Sequence, residues 1–108
     1  MHKLMLLFQP PDDIEHFETQ WSHEFVPRAE RLPGLRRVAV SRALESLAGV
    51  GELYLVHELY FDNLAAARQA MASPEGQQAG QALMRFAASN VRLYFAEHLE
   101  ESRPAPPA

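Results

Sequence analysis

Glu58 is the side chain whose position in the sequence best suits proton transfer. It lies in an alternating run, Glu52–Phe61, and shares one phase of that run with Tyr54 and Tyr60. A carboxylate held among aromatic side chains and away from water can donate or accept a proton during a reaction. An ion pair between Glu58 and Arg92 or Arg42 would satisfy the same charge without any catalysis. Both interpretations stay open at this level.

Aromatic side chains offer a second set of candidate ligand contacts. Tyr54 and Tyr94 could hydrogen-bond a ligand oxygen, although packing at a subunit interface explains them better. Trp21 and Phe25 could line a binding cavity, but two large apolar residues on one helix face more often form the core. An arginine, Arg92 or Arg42, would complete the set by orienting a polar group of the substrate.

The five histidines do not form a metal-binding pattern. His16 and His23 lie on one outer helix face, about 10 Å apart along the axis, which predicts two solvated side chains. His57 falls in the apolar phase of its strand and is expected to be partly buried and hydrogen-bonded, although a ligand or base role is open. His2 and His98, near the termini, are expected to be exposed.

Cofactor chemistry has little support in the sequence. The chain has no cysteine, which excludes disulfides and thiolate ligands. The five glycines do not form a phosphate-binding loop, so no cofactor and no metal are predicted.

Composition limits the possible partners and locations. A net charge of −4 and a pI near 5.7 provide no basic surface, so nucleic acid is not an expected partner. The apolar start, Met1–Phe8, is too short for a signal peptide or a membrane span, which predicts a cytoplasmic protein without membrane contact. We expect one domain over residues 1–99 and a disordered, Pro/Ala-rich tail over residues 100–108.

Four strands and two helical regions follow from hydrophobic periodicity. The helical regions begin at Asp12, at Asp62 and again at Ser73-Pro74, each with a capping signal, and Pro27 is expected to kink or tighten the first of them. The first carries an apolar stripe of Ile14, Phe17, Trp21 and Phe25. The predicted strands are His2–Gln9, Arg36–Arg42, Glu52–Phe61 and Asn90–Glu97, with Ala43–Gly51 as a connection.

The order βαββαβ indicates an α+β, ferredoxin-like fold, in which a four-stranded antiparallel sheet carries both helices on one face. The other face is left bare. It is expected to display Tyr54, Val56, Glu58, Tyr60, Arg92 and Tyr94. This surface is too aromatic for water and too polar for an ordinary core, so we expect a second copy to cover it in a homodimer.

Two groups of residues resemble the EthD family. The first is Phe17 and Trp21, then Pro27, then Leu32–Arg37 (LPGLRR), and the second is Leu59–Leu64 (LYFDNL) with Met71–Gly76 (MASPEG). The resemblance spans roughly residues 3–98. It implies a dimeric α/β barrel that encloses a cavity, and a role in small-molecule metabolism such as ether degradation beside a cytochrome P450 system. Similar proteins include aromatic polyketide dehydratases and muconolactone isomerases.

One departure from the family pattern affects function. The family usually has a histidine two residues before the helix proline, and here that position is Phe25. His23 cannot replace it, because on a helical wheel it lies about 180° from the apolar stripe that contains Phe25. The family histidine therefore has no equivalent on the inner face of this helix.

Three functions remain compatible with these residues. The chain could be an acid–base enzyme, isomerase-like or dehydratase-like, in which Glu58 moves a proton on a small, mostly apolar ligand. It could instead be a non-catalytic binding protein, or an accessory protein of an oxidative degradation pathway. A haem-dependent monooxygenase would need a histidine that faces the cavity. Only His57 could serve, and its strand phase points the other way.

Overall fold

Four antiparallel strands form the sheet in a computed structural model that describes residues 1–107, so Ala108 of the predicted tail lies outside the described residues. The strands are β1 (His2–Phe8), β2 (Arg37–Arg42), β3 (Leu55–Phe61) and β4 (Val91–Glu97). Their order across the sheet is β2-β3-β1-β4. The first and third strands lie at the centre and the second and fourth strands at the edges. This is the ferredoxin-like arrangement, and the predicted α+β fold is confirmed.

All helices pack on one face of this sheet and build a single core with it. They are α1 (Ile14–Gln20), which continues through a π-helical turn (Trp21–Phe25) into α2 (Val26–Ala29), then α3 (Leu64–Ala72) and α4 (Pro74–Ala87). No helix within residues 1–107 has the length and apolar character needed to cross a bilayer.

The first helical region widens where a kink or a tighter turn was predicted. Pro27 has no N–H, so the carbonyl of His23 lacks its usual helical donor. One residue before the proline, the Val26 N–H bonds to the Trp21 carbonyl, which is five residues back rather than the usual four. This bond defines the π-helical turn. Trp21 and Phe25 are buried as expected, but Ile14 is 55% exposed because it is the first residue of the helix and lies beyond the core.

Two of the three predicted helix caps are one residue too early. Asp13, not Asp12, caps α1, and Asn63, not Asp62, caps α3. In each case the side chain accepts a hydrogen bond from the backbone N–H three residues later, which is the geometry that satisfies a free helix N-terminus. Ser73 caps α4 as predicted.

The two faces of the sheet follow from the pairing register, since residues directly opposite each other share a face. Leu55, His57, Leu59 and Phe61 of β3 are all buried against the helices. The remaining alternate residues form the open face of the sheet: Lys3, Met5, Leu7, Arg37, Ala39, Ser41, Val56, Glu58, Tyr60, Arg92, Tyr94 and Ala96.

The third strand is shorter than the alternation suggested. It begins at Leu55 rather than Glu52, and Leu53, which shares the apolar phase of His57 in the sequence pattern, is 43% exposed. Residues 43–54 form neither helix nor strand, and neither do residues 98–107, which include most of the predicted tail.

Candidate functional site

Glu58 lies on the open face as predicted, but its partner is Lys3. The two side chains form an ion pair and are only 14% and 13% exposed. Lys3 is opposite Tyr60 on the neighbouring strand, so it lies diagonal to Glu58. The predicted partners are wrong: Arg92 lies on β4, two strands away from Glu58, and Arg42 pairs with the buried Leu55 and so belongs to the helix side.

Beyond β4, residues His98–Glu100 cross one end of the open face, and we call this segment the C-terminal strap. The Lys3 Nζ donates to His98 Nδ1 over 3.2 Å, which leaves the proton on Nε2 to bond Glu100 Oε1 at 2.9 Å. Arg37 Nη2 donates to the same oxygen at 2.8 Å. The hydrogen bonds from His98 and Arg37 lower the pKa of the Glu100 carboxyl.

The strap buries Tyr60, which is only 3% exposed. The ring of His98 meets that of Tyr60 edge-on with 4.7 Å between centroids, and the Arg37 guanidinium lies 4.3 Å from the Tyr60 centroid. His98 was predicted to be exposed, as was His2, yet the His98 side chain is only 16% exposed and His2 is half-buried. The strap, which folds back over the sheet, is the reason for the error at His98.

Tyr54 does not join Glu58, although both belong to one phase of the sequence pattern. Its ring packs edge-on against Phe17 at 5.5 Å, on the helix side, and its hydroxyl donates to Glu18 Oε2 over 3.1 Å. Arg42 donates two hydrogen bonds to the same carboxylate, of 2.6 and 3.1 Å. Partial burial is the larger cause of a raised pKa at the Tyr54 hydroxyl, and the hydrogen bond to Glu18 is the second cause. Because Tyr54 precedes β3, the strand's alternation does not control its direction.

The π-helical turn brings two aromatic rings onto His57. Trp21 Nε1 donates to His57 Nδ1 over 3.2 Å, and the Phe25 ring meets the imidazole edge-on at 5.7 Å. His57 is 1% exposed, and burial lowers its pKa to about 4. The imidazole is therefore neutral at neutral pH, as a partly buried, hydrogen-bonded histidine would be, and it faces the helices. Because Nδ1 accepts the Trp21 hydrogen bond, the proton of the neutral ring lies on Nε2, the nitrogen that would have to bind iron, so this geometry does not favour a haem-ligand role.

A small apolar cavity of about 50 Å³ lies between the sheet and the helices. Its walls include Phe25, Met84 and Leu93. Met84 and Leu93 are 45% and 42% exposed, so the cavity meets solvent at these two residues. Gly80 adds open space, since a Cβ there would meet no atom within 4 Å. Other wall residues include Leu4, Leu6, Leu59, Met71 and Leu83. An all-apolar wall can hold an apolar molecule but offers no group for proton transfer.

The predicted site residues therefore divide between two faces of the sheet. Glu58, Arg92 and Tyr94 lie on the open face, where Glu58 and Tyr94 flank Met5 from either side with their Cα atoms about 10 Å apart. The helix side holds the others, which are Trp21, Phe25, Arg42 and Tyr54.

Sequence reasoning missed four polar participants, which are Lys3, Glu18, His98 and Glu100. Alternation along the first strand could have placed Lys3 on the open face. No local signal marks the others, because their partners are distant in sequence. Within residues 1–107, no three histidine or acidic side chains are close enough together to hold a metal ion.

Comparison with known proteins relates the chain to one family over most of its length. Residues 9–90 match the EthD domain. A Rhodococcus erythropolis protein, described as an uncharacterized 11.0 kDa protein in the thcB-thcC intergenic region, is 33% identical over 98 residues, which cover 90% of this chain and 94% of that protein.

Solved structures agree with this assignment. An ethyl tert-butyl ether D (EthD) family protein from Bacillus halodurans is 32% identical, with a TM-score of 0.86 over 92% of this chain and 99% of that one. A dimeric protein of unknown function and ferredoxin-like fold from Bacteroides fragilis shares the fold at 22% identity, with a TM-score of 0.64 over 90% and 95% of the two chains. On the family match and the relatives above 30% identity, this chain belongs to the EthD family.

Proposed function

We propose that this protein is a homodimer that binds a small apolar molecule in the cavity between its sheet and its helices, as an accessory protein of a degradation pathway. The observation that carries the proposal is the all-apolar wall of that cavity. Three groups that could move protons are already engaged elsewhere: Glu58 with Lys3, Tyr54 with Glu18, and His57 with Trp21. Binding without catalysis is the function that these contacts favour.

The open face supports the homodimer. It carries half-buried apolar residues, Met5, Leu7 and Val56, beside Tyr94, which is 51% exposed. Such a surface gains from being packed against a second copy of itself. The Bacteroides fragilis protein, which has the same fold, is dimeric. Light scattering at micromolar concentration should give the mass of two chains, and a mass of one chain would contradict the homodimer.

The size and chemistry of the cavity favour a compact, uncharged ligand. A volume of about 50 Å³ holds only a few heavy atoms, so a larger ligand requires movement of flexible wall residues. Met71 and Met84 suit this, because unbranched thioether side chains adjust to the shape beside them. Ethers, small hydrocarbons and simple aromatic molecules fit this description, and an ether agrees with the activity that the EthD family name implies.

Binding can be tested with benzene and ethyl tert-butyl ether as probes. In methyl NMR spectra of the full chain, we expect saturable shifts of the Met71, Met84 and Leu93 methyl groups. The variant Gly80→Leu fills the cavity and should lose these shifts. Gln81→Leu, which adds the same side chain at the next, exposed position of α4, should keep them. No saturable shift with either probe in the unaltered protein would contradict the proposal.

A second candidate is acid–base catalysis by Glu58 between two packed open faces. The observation in its favour is the low exposure of its carboxylate, which a second sheet would remove further from water. As general base, Glu58 would take an α-hydrogen from a ketone. Deuterium exchange into cyclohexanone should then be faster with the unaltered protein than with Glu58→Gln. Equal rates for the two proteins would exclude this role.

A further inference from the structure

Residues 43–53, which we call the arm, expose large apolar side chains that nothing in their own chain covers. Leu44 is 95% exposed, Leu47 is 96% exposed and Val50 is fully exposed. Single exposed apolar residues are ordinary, but three within residues 44–50 form a patch that calls for a partner. The base of the arm is fixed, since the Ala43 N–H bonds to the Tyr54 carbonyl at 3.0 Å.

A second apolar patch lies at the opposite edge of the sheet, and we call it the α4–β4 edge. It consists of Met84 on α4 with Leu93 and Phe95 on β4, which are 45%, 42% and 42% exposed. Met84 and Leu93 also form part of the wall of the apolar cavity, so this patch is the mouth of the cavity.

The two patches carry opposite charges. The arm contains Glu45 and Glu52 and has no lysine or arginine. Arg85, next to Met84 on α4, and Arg92, next to Leu93 on β4 but with its side chain on the open face, are exposed and form no ion pair within residues 1–107. Glu97, on the same face of β4 as Phe95, is also exposed, so the edge carries two arginines against one glutamate. An acidic apolar arm therefore matches a basic apolar edge, and it is poorly suited to an anionic lipid surface.

The fold separates these surfaces within one chain. The arm leaves the end of β2, whereas the receiving patch lies beside β4, and β2 and β4 are the two outer strands of the sheet. A second copy of the chain can bring them together, and two-fold symmetry then forms the same contact twice.

We propose that the arm of each protomer packs on the α4–β4 edge of a second copy and closes the mouth of its cavity. The proposal rests on the homodimer proposed above and adds which surfaces meet. Each ligand site is then completed by Leu44, Leu47 and Val50 of the other copy. Ligand exchange requires the arm to lift.

Cysteine cross-linking tests the contact directly, because the chain has no cysteine of its own. A Leu47→Cys protein is mixed with a Met84→Cys protein that carries a tag of different size, and the mixture is oxidised. We expect a disulfide-linked heterodimer as the main product. Ile14→Cys, at a position on α1 that is 55% exposed and lies outside both patches and off the open face, replaces Met84→Cys in the control and should give little heterodimer. Equal yields from both mixtures would overturn the proposal.

Loss of the apolar arm gives an independent measurement. The triple variant Leu44→Ser, Leu47→Ser and Val50→Ser changes only exposed side chains, so each protomer should fold normally. Sedimentation equilibrium should show its dimer dissociation constant raised by roughly tenfold or more, while Ile14→Ser, on the helix layer, leaves the constant unchanged. An unaltered protein that is monomeric refutes the homodimer itself. A triple variant that dimerises as tightly as the unaltered protein overturns only the arm contact. If that variant also no longer binds phosphatidylcholine vesicles that the unaltered protein binds, a lipid surface and not a second copy is the partner of the arm.

Discussion

His57 is the residue whose protonation is most directly coupled to folding. It is 1% exposed, accepts a hydrogen bond from Trp21, and has its pKa lowered by burial from 6.5 to about 4. The unfolded chain therefore binds this proton at a higher pH than the folded protein does. Stability from the neutral imidazole is complete above pH 6.5 and is lost as the pH falls toward 4.

This coupling predicts a pH-dependent loss of stability that one substitution should remove. Between pH 7 and pH 5, the free energy of unfolding should fall by about 2 kcal/mol because of His57. His57→Gln should start less stable at pH 7 but lose about 2 kcal/mol less over the same interval. His23→Gln, at an exposed histidine, should behave like the unaltered protein. Urea unfolding followed by Trp21 fluorescence measures all three, and parallel pH profiles would contradict the assignment.

The Lys3–Glu58 ion pair predicts that removing one charge destabilises the fold more than removing both. Removing one partner leaves the other charge with little water around it, so Glu58→Met or Lys3→Met alone should lower the free energy of unfolding by about 2 kcal/mol. Replacing both with methionine removes both charges and should recover most of this loss. A double-mutant cycle at fixed protein concentration gives the coupling energy. Strictly additive effects would mean that the pair contributes nothing.

At the scale of elements, the junction between α3 and α4 allows almost no space. Gly76, in the first turn of α4, lies against the end of α3, where a Cβ atom would overlap the carbonyl oxygens of Ala70 and Met71. Gly80, one turn later in the same helix, has open space at the corresponding point. The two glycines therefore have different roles, although both are helical.

Alanine at these two positions should change stability in opposite directions. Gly76→Ala should lower the free energy of unfolding by about 2 kcal/mol or more, because backbone must move to relieve the overlap. Gly80→Ala should raise it by about 0.5–1 kcal/mol, since alanine is the better helix former and meets no atom. Thermal unfolding of the two variants checks both signs, and a destabilised Gly80→Ala would contradict the open space.

Element positions could be predicted from the sequence more accurately than element ends. The strand pattern around Leu59 and the caps near α1 and α3 were each found within one to three residues, since periodicity and capping are local properties. The start of β3 at Leu55 and the π-helical turn were not found. The first depends on where neighbouring strands stop pairing, and the second on how a helix accommodates Pro27 while burying Trp21.

At the scale of the whole molecule, the C-terminal strap ties the last residues to the far edge of the sheet. It leaves β4 and reaches Arg37 on β2, and it covers Tyr60 on the way. The strap therefore contacts both edges of the sheet. Residues 101–107, by contrast, have one ion pair, which joins the exposed side chains of Glu101 and Arg103 to each other.

Two truncations separate the strap from the tail. A chain that ends at Glu100 should keep its stability within about 0.5 kcal/mol, because exposed ion pairs contribute little. A chain that ends at Glu97 loses His98 and Glu100 and uncovers Tyr60, which should cost about 1–2 kcal/mol. Urea unfolding of both chains at equal concentration tests this. Equal stability would mean that the strap contributes nothing to the fold.

The α+β fold, the EthD resemblance and the burial of Trp21, Phe25 and His57 can be predicted from the sequence, because periodicity and motifs report on neighbours in the chain. The pairing of Glu58 with Lys3 and the turn of Tyr54 to the helix side are visible only in three dimensions. The same is true of the cavity under the α4–β4 edge. These features depend on strand register and on contacts between residues far apart in sequence, which no local pattern encodes.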